Sequence, residues 1–272
     1  QSKLEILDFV PTATYKVNDS FSVAAGLDLY WAKSAVLNSS LGELNGDGTG
    51  IGFNAGLLYR RDALSLGASY HSSATLSIEG PYSPLNTLLV VAGGLAPGQP
   101  AKVDLDLPWR LQLGVRYEVN DELAVEFDWT RSGWSKFDKL TVKGRRTGEV
   151  IFTDTNAWDD ADAYRIGMTY QLLPATQLRL GYAYDETGQQ DDHFSARVPD
   201  NDRHLFGIGV GQDLGQGLSL EAGYMYVKFE DRDYRGSRQY LGLGDDINGS
   251  NAIDGNYTAH AHLIGIEIRK TF

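Results

Sequence analysis

Residues 103–119 read Val-Asp-Leu-Asp-Leu-Pro-Trp-Arg-Leu-Gln-Leu-Gly-Val-Arg-Tyr-Glu-Val, and this stretch decides the fold class. Every odd position is apolar: Val103, Leu105, Leu107, Trp109, Leu111, Leu113, Val115, Tyr117 and Val119. The even positions are Asp104, Asp106, Pro108, Arg110, Gln112, Gly114, Arg116 and Glu118. Successive side chains of a strand point to opposite faces, so a period of two is a strand period. The run far exceeds the usual strand of about five or six residues. A soluble sandwich strand also alternates, but it is short and its polar face meets bulk water. A stave this long, with an apolar face tall enough for hydrocarbon, predicts a transmembrane antiparallel up-and-down β-barrel. On this reading Leu111, Leu113, Val115 and Tyr117 face lipid, while Arg110, Gln112 and Arg116 face the lumen.

The alternation recurs along the whole chain. It marks Leu7 to Val17, Phe21 to Trp31, Ile51 to Tyr59, Leu64 to Tyr70 and Leu123 to Trp129. It returns at Tyr164 to Leu172, Leu178 to Tyr184, Leu218 to Tyr226 and Ile264 to Phe272, and less cleanly at Leu205 to Val210. These runs make about eleven strands in a single domain spanning 1–272. Tight polar turns fall at Asn18-Asp19, Arg61-Asp62, Asn120-Asp121, Pro174-Ala175 and Gly215-Gln216. Longer links are expected at Val36 to Thr49, Gly80 to Ala101, Lys143 to Gly148, Asp185 to Asp202 and Gly236 to Gly255. Short turns on one rim and long loops on the other are the outer-membrane arrangement of periplasmic turns and extracellular loops.

Composition narrows the function. The 272 residues carry a formal net charge of −12 and a sequence pI near 4.8, which argues against nucleic acid as a partner. The absence of cysteine removes disulfides and thiolate metal sites. No run approaches the ~18 apolar residues of a transmembrane helix. A mean hydropathy of −0.30 is compatible with a barrel, because only half of a barrel's wall residues meet lipid. No nucleotide loop, serine-nucleophile motif or paired-histidine metal motif is present, and no cofactor is implied. The Asp- and Asn-rich loop Asp245 to Asp254 lacks the glycine and terminal glutamate of an EF-hand.

Several stretches resemble the FadL-type outer-membrane transporters of long-chain fatty acids and other hydrophobic compounds. They are Asn54-Ala55-Gly56-Leu57-Leu58-Tyr59, Leu105-Asp106-Leu107-Pro108, Trp134-Ser135-Lys136-Phe137, Asp162-Ala163-Tyr164-Arg165 and Pro199-Asp200-Asn201-Asp202-Arg203, in the family's order. The resemblance covers essentially the whole chain but only the later part of the family pattern. The family's helical hatch with its Asn-Pro-Ala motif, and its kinked third strand, find no match. Family barrels have about fourteen strands and bacterial barrels have even counts, so about eleven is what remains without a hatch and three strands. This implies the C-terminal portion of a longer chain. It also implies a gap between Lys3 to Val17 and Asn256 to Phe272, since an odd closure strains a wider barrel. The family's basic clamp for a carboxylate is not recovered near Asn38 or Asn156.

The resemblance implies passive transport, long-chain fatty acids first and aromatic hydrocarbons second, across the outer membrane of a Gram-negative bacterium, with no enzymatic activity. Implied partners are the hydrophobic ligand, outer-membrane lipid and lipopolysaccharide, and the barrel-assembly machinery, for which the terminal Phe272 resembles a recognition signal. The apolar loop residues Leu85, Leu88, Leu89, Val90, Val91 and Leu95 stand as the outer capture surface, with a loop folded on its own small core as the alternative. Arg110, Arg116, Arg165 and Arg179 form a candidate polar rail in the lumen. Interstrand ion-pair ladders are the plainer reading of these and of the other inward charges, among them Asp104, Asp106, Glu126, Asp128, Glu221, Glu267 and Arg269. Two other classes remain open. A barrel hydrolase or protease would use Asp191-Asp192-His193 and Asp200 to His204 to activate water. A general or structural porin would need none of these residues.

Overall fold

The computed structural model describes residues 3–38, 42–84, 98–242 and 245–271. Eleven staves follow one another around an antiparallel wall. The first is β1 (Lys3–Phe9) plus β2 (Thr12–Lys16), interrupted at Val10 and Pro11. β3 (Phe21–Asn38) and β4 (Gly42–Arg61) are the second and third. β5 (Leu64–His71) and β6 (Ala74–Pro84) share the fourth, β7 (Gln99–Leu107) and β8 (Arg110–Glu118) share the fifth, and β9 (Leu123–Ser132) is the sixth. A hairpin, β10 (Lys139–Gly144) and β11 (Val150–Thr155), lies beside β7. The wall resumes with β12 (Ala161–Leu173), β13 (Thr176–Asp185), β14 (Arg203–Gly215) and β15 (Leu218–Phe229). The small pair β16 (Arg232–Tyr234) and β17 (Gly255–Tyr257) precedes the last stave, β18 (His260–Lys270). Among the described residues no ladder joins β1 or β2 to β18, and both faces of these strands are largely exposed.

The five tight turns lie together at one rim. Two of them need left-handed backbone, at Asp62 (φ 50°) and Gln216 (φ 53°). The described parts of the expected link Val36 to Thr49, residues 36–38 and 42–49, are instead ladder: Val36 pairs with Asn45 and Trp31 with Thr49. Glycines shape this ladder. Gly46, Gly48 and Gly50 turn one face of β4 toward β6, where a Cβ at Gly48 would lie 2.2 Å from the Ser77 carbonyl. Only a bare backbone lets the sheet fold this sharply about β4.

Registers place the outward side chains of neighbouring staves in rows. One row runs Phe127, Ile166, Tyr182, Phe206, Tyr226 and His262. The next toward the turns runs Val125, Met168, Leu180, Ile208, Tyr224 and Ile264. Along β12 the apolar series Tyr164 to Leu172 covers roughly 27 Å of strand, or roughly 20 Å of depth at a tilt of about 40°. An aromatic girdle closes its upper edge, with Tyr70 stacked on Trp109 at 6.4 Å and Phe53 against Tyr70 at 5.9 Å. Leu113 is 42% exposed on this face.

Above the girdle the two faces exchange roles. Val103 is 1% exposed, in a core with Ala32, Ala35, Leu44, Leu76, Ile78, Tyr82, Ala101 and Val142. The exchange occurs where the fourth and fifth staves break together, at Ser72-Ser73 and at Pro108-Trp109. Proline has no N–H for the ladder at one break, and at the other the Phe53 N–H of β4 bonds to the Ser72 hydroxyl at 2.9 Å. Odd positions therefore face lipid in β8 but fill the core in β7. The cause is the medium: below the girdle the outside is hydrocarbon, and above it the outside is water. Asp104 and Asp106 consequently do not point inward as the unbroken alternation predicts. They lie on the outer face, bonded by the Ser77 hydroxyl at 2.8 Å and the Thr75 hydroxyl at 2.6 Å.

Candidate functional site

The inner face of β12 to β18 forms a slot of about 820 Å³. Its floor is glycine. Gly167 lies opposite Gly181 and Gly181 opposite Gly207, while Gly209, Gly223 and Gly265 make a second row. Strand glycines open room for something that lies close to the backbone. Toward the loops the slot is apolar, with Ala183, Leu205, Met225 and Leu263. Toward the turns it is charged, with Arg179, Glu221 and Glu267, and at its side stand Glu126, Asp128 and Arg165. One wall thus offers a greasy end and a charged end.

Of the four arginines of the expected rail only Arg165 and Arg179 line this slot, while Arg110 and Arg116 stand on β8 away from it, and each is already engaged or spaced from the others. Arg116 meets Glu126 at 3.3 Å, and Arg165 bonds the Thr130 hydroxyl at 2.8 Å. Arg179 is held by Glu221 and, at 2.7 and 3.0 Å, by Gln177. Arg110 lies opposite His71 across the β5–β8 ladder. The capture residues Leu85, Leu88, Leu89, Val90, Val91 and Leu95, and the terminal Phe272, lie outside the described residues.

A polar cluster that the sequence does not announce lies on the first staves, between the wall and the upper core. The Asp28 carboxylate is 0% exposed and accepts from the Asn54 amide at 2.8 Å. The His71 Nδ1 lies 3.0 Å from its other oxygen, and the Thr12 hydroxyl donates to Asn54 at 3.2 Å. The cluster ties β2, β3, β4 and β5 together beside the stave breaks. A polar group this deep needs hydrogen-bond partners, and both Asp28 oxygens have one.

The mouth is covered by the loops. Phe194 packs against Tyr234 at 4.6 Å and Tyr257 at 4.8 Å, under the Arg232 guanidinium at 4.9 Å. Trp158 packs against Trp134 and Phe137 at 5.1 and 5.4 Å. His193 sits in a short 3-10 turn, Asp191–His193. His204 stacks on the wall tyrosines, with Nδ1 2.9 Å from the Tyr182 hydroxyl and Nε2 3.4 Å from Glu230. The histidines and acids of the two rim motifs therefore do not converge on one point.

The comparisons with known proteins settle the family. Residues 1–272 match the family model described as outer membrane protein transport protein (OMPP1/FadL/TodX). The chain belongs to this family. A 47 kDa outer membrane protein of Pasteurella multocida is 32% identical over 200 residues, covering 70% of this chain and 46% of that protein. A long-chain fatty acid transport protein of Escherichia coli is 24% identical, covering 84% of this chain and 60% of that protein. The crystal structure of a Pseudomonas aeruginosa FadL homologue shares the fold with a TM-score of 0.78 at 21% identity, over 98% of this chain and 67% of that one. The Ralstonia pickettii toluene transporter TbuX superposes with a TM-score of 0.64 at 17% identity, over 100% and 69%. The chain spans about half the length of the first curated relatives it matches. As a FadL/TodX-family barrel it lies in the outer membrane of a Gram-negative bacterium, and two of the proteins it resembles are named as a long-chain fatty acid transport protein and a toluene transporter.

Proposed function

We propose that this protein moves hydrophobic compounds passively across the outer membrane. The glycine-floored slot carries the reading, since it offers an extended apolar surface on the lumen side of the wall. Leaving water is itself favourable for such ligands, by about 0.8 kcal/mol per buried methylene, so movement into the slot needs no coupled energy source. A long-chain fatty acid fits the greasy end. Its carboxylate would compete with Glu126, Asp128, Glu221 and Glu267 for Arg165 and Arg179. That balance favours ligands carried without net negative charge, aromatic hydrocarbons or neutral lipids, over an ionised fatty acid. The outward rows supply the contact with membrane lipid, and lipopolysaccharide and the assembly machinery are the further partners of this reading.

Uptake of a long-chain fatty acid and of an aromatic hydrocarbon, compared side by side in cells, tests it. Replacing Leu88, Leu89 and Val91 together by Ser should lower both without loss of folded protein. Each aliphatic contact is worth at most about 1.5–3 kcal/mol when fully buried, so a drop of tenfold or more is expected. Unchanged uptake of both would remove the 85–97 segment from the path. Loss restricted to hydrophilic solutes would make the protein a porin.

A further inference from the structure

We propose that Asp154, Arg197, Asp246 and Asn248 form an acid-strengthened latch that fastens three extracellular segments across the mouth of the barrel. The part concerning access rests on the transport reading above; the latch itself does not. Asp154 lies opposite Leu140 at the open end of the β10–β11 hairpin, which stands beside β7 on one side of the mouth. Arg197 comes from the β13–β14 loop and Asp246 and Asn248 from the loop before β17, on the opposite side of the sheet order. The side chain of Arg197 grips one Asp154 oxygen, and the Asn248 amide donates to the other at 2.9 Å. The Thr155 N–H donates to Asp246 at 2.9 Å, and the Asn248 amide also bonds the Thr155 carbonyl at 2.9 Å. The two loops are joined in turn, with the Gly249 N–H on the Phe194 carbonyl at 2.9 Å.

Asp154 is 6% exposed. The charged groups against it are Arg197 and Asp246. Arg238 stands one step away, held by Asp245 at 2.8 and 2.9 Å while it bonds the Asp246 carbonyl. Burial, opposed by Arg197 and aided by Asp246, pushes the Asp154 carboxyl from 3.8 up to about 6. The sign follows directly. The latched state binds the proton more tightly than the open one, so the latch is strongest below pH 3.8 and weakens as pH rises through 6. From about pH 5 to about pH 7.5 its closing constant should fall about tenfold.

Hydrogen exchange of the Thr155 and Gly249 amides in the whole protein, corrected for intrinsic rates, reads the latch. In the wild type, protection should fall about tenfold over that pH interval. Asp154→Asn should abolish the pH dependence while keeping the amides protected. Arg197→Gln should expose them at about pH 7.5 and restore protection at about pH 5, because a protonated Asp154 no longer needs the cation. Flat exchange in the wild type, or pH dependence surviving in Asp154→Asn, overturns the latch. Entry of a fluorescent alkyl probe should slow at the acid end. A constant entry rate beside pH-dependent exchange overturns its role in access. Absence of any probe entry with the exchange pattern intact counts against the transport reading instead.

Discussion

Replacing Leu113 by Arg should destabilise the folded barrel by about 2–4 kcal/mol near the membrane midplane, and replacing Gln112 by Arg should cost under about 1 kcal/mol. The two positions are adjacent in β8 and differ only in the face they occupy. Leu113 pairs with Ala68 and Trp129 in the outward rows, where an arginine has only hydrocarbon around it. Gln112 pairs with Ser69 and Thr130 and looks into the lumen near Asp128, where a guanidinium finds water and a carboxylate. Unfolding by denaturant in lipid vesicles measures both. Equal costs would mean that β8 is not a wall strand.

Val103→Asp should be at least as damaging, although it lies on the same run of odd positions. Its side chain is packed on Ile78 and its neighbours with 1% exposure, and an unpaired carboxylate there costs about 4 kcal/mol or more. Asp104→Ala should cost about 1 kcal/mol or less, since it removes only an exposed bond from Ser77. The damage from Val103→Asp should show as loss of protection in β6, β7 and β10, with the membrane wall intact. Wall-wide unfolding, or no effect, would contradict the division at Pro108-Trp109.

Most of the wall was legible because lipid imposes one rule on every stave: apolar out, polar or small in. The reversal was not, because Val103 to Val119 keeps the same alternation on both sides of Pro108. Nothing in a side chain states whether its medium is hydrocarbon or a protein core. The Val36 to Thr49 expectation failed for a related reason: Gly46, Gly48 and Gly50 leave one face of β4 bare, so the strand runs on there without the apolar alternation that marks the wall. The site was legible only as a class of charges. The Asp28–Asn54 and Asp28–His71 contacts join residues 26 and 43 apart, and Asn248 reaches Asp154 across 94. Such partners are chosen by register and loop closure, which local pattern does not specify. The slot floor was hidden for the opposite reason, as glycine leaves no chemical mark.

The central claim is that hydrophobic compounds pass along the glycine-floored slot. A Cβ at Gly207 would meet nothing closer than 3.9 Å, and one at Gly265 nothing within 4 Å, so bulky residues there should fill the slot without forcing the strands apart. The direct measurement is the initial uptake rate of an aromatic hydrocarbon in cells producing Gly207→Trp or Gly265→Trp, normalised to folded barrel in the outer membrane. The account predicts normal amounts of folded protein and uptake lowered tenfold or more, the scale of a lost contact of about 1.4 kcal/mol. Full uptake with the slot filled would show that the compounds travel by another route.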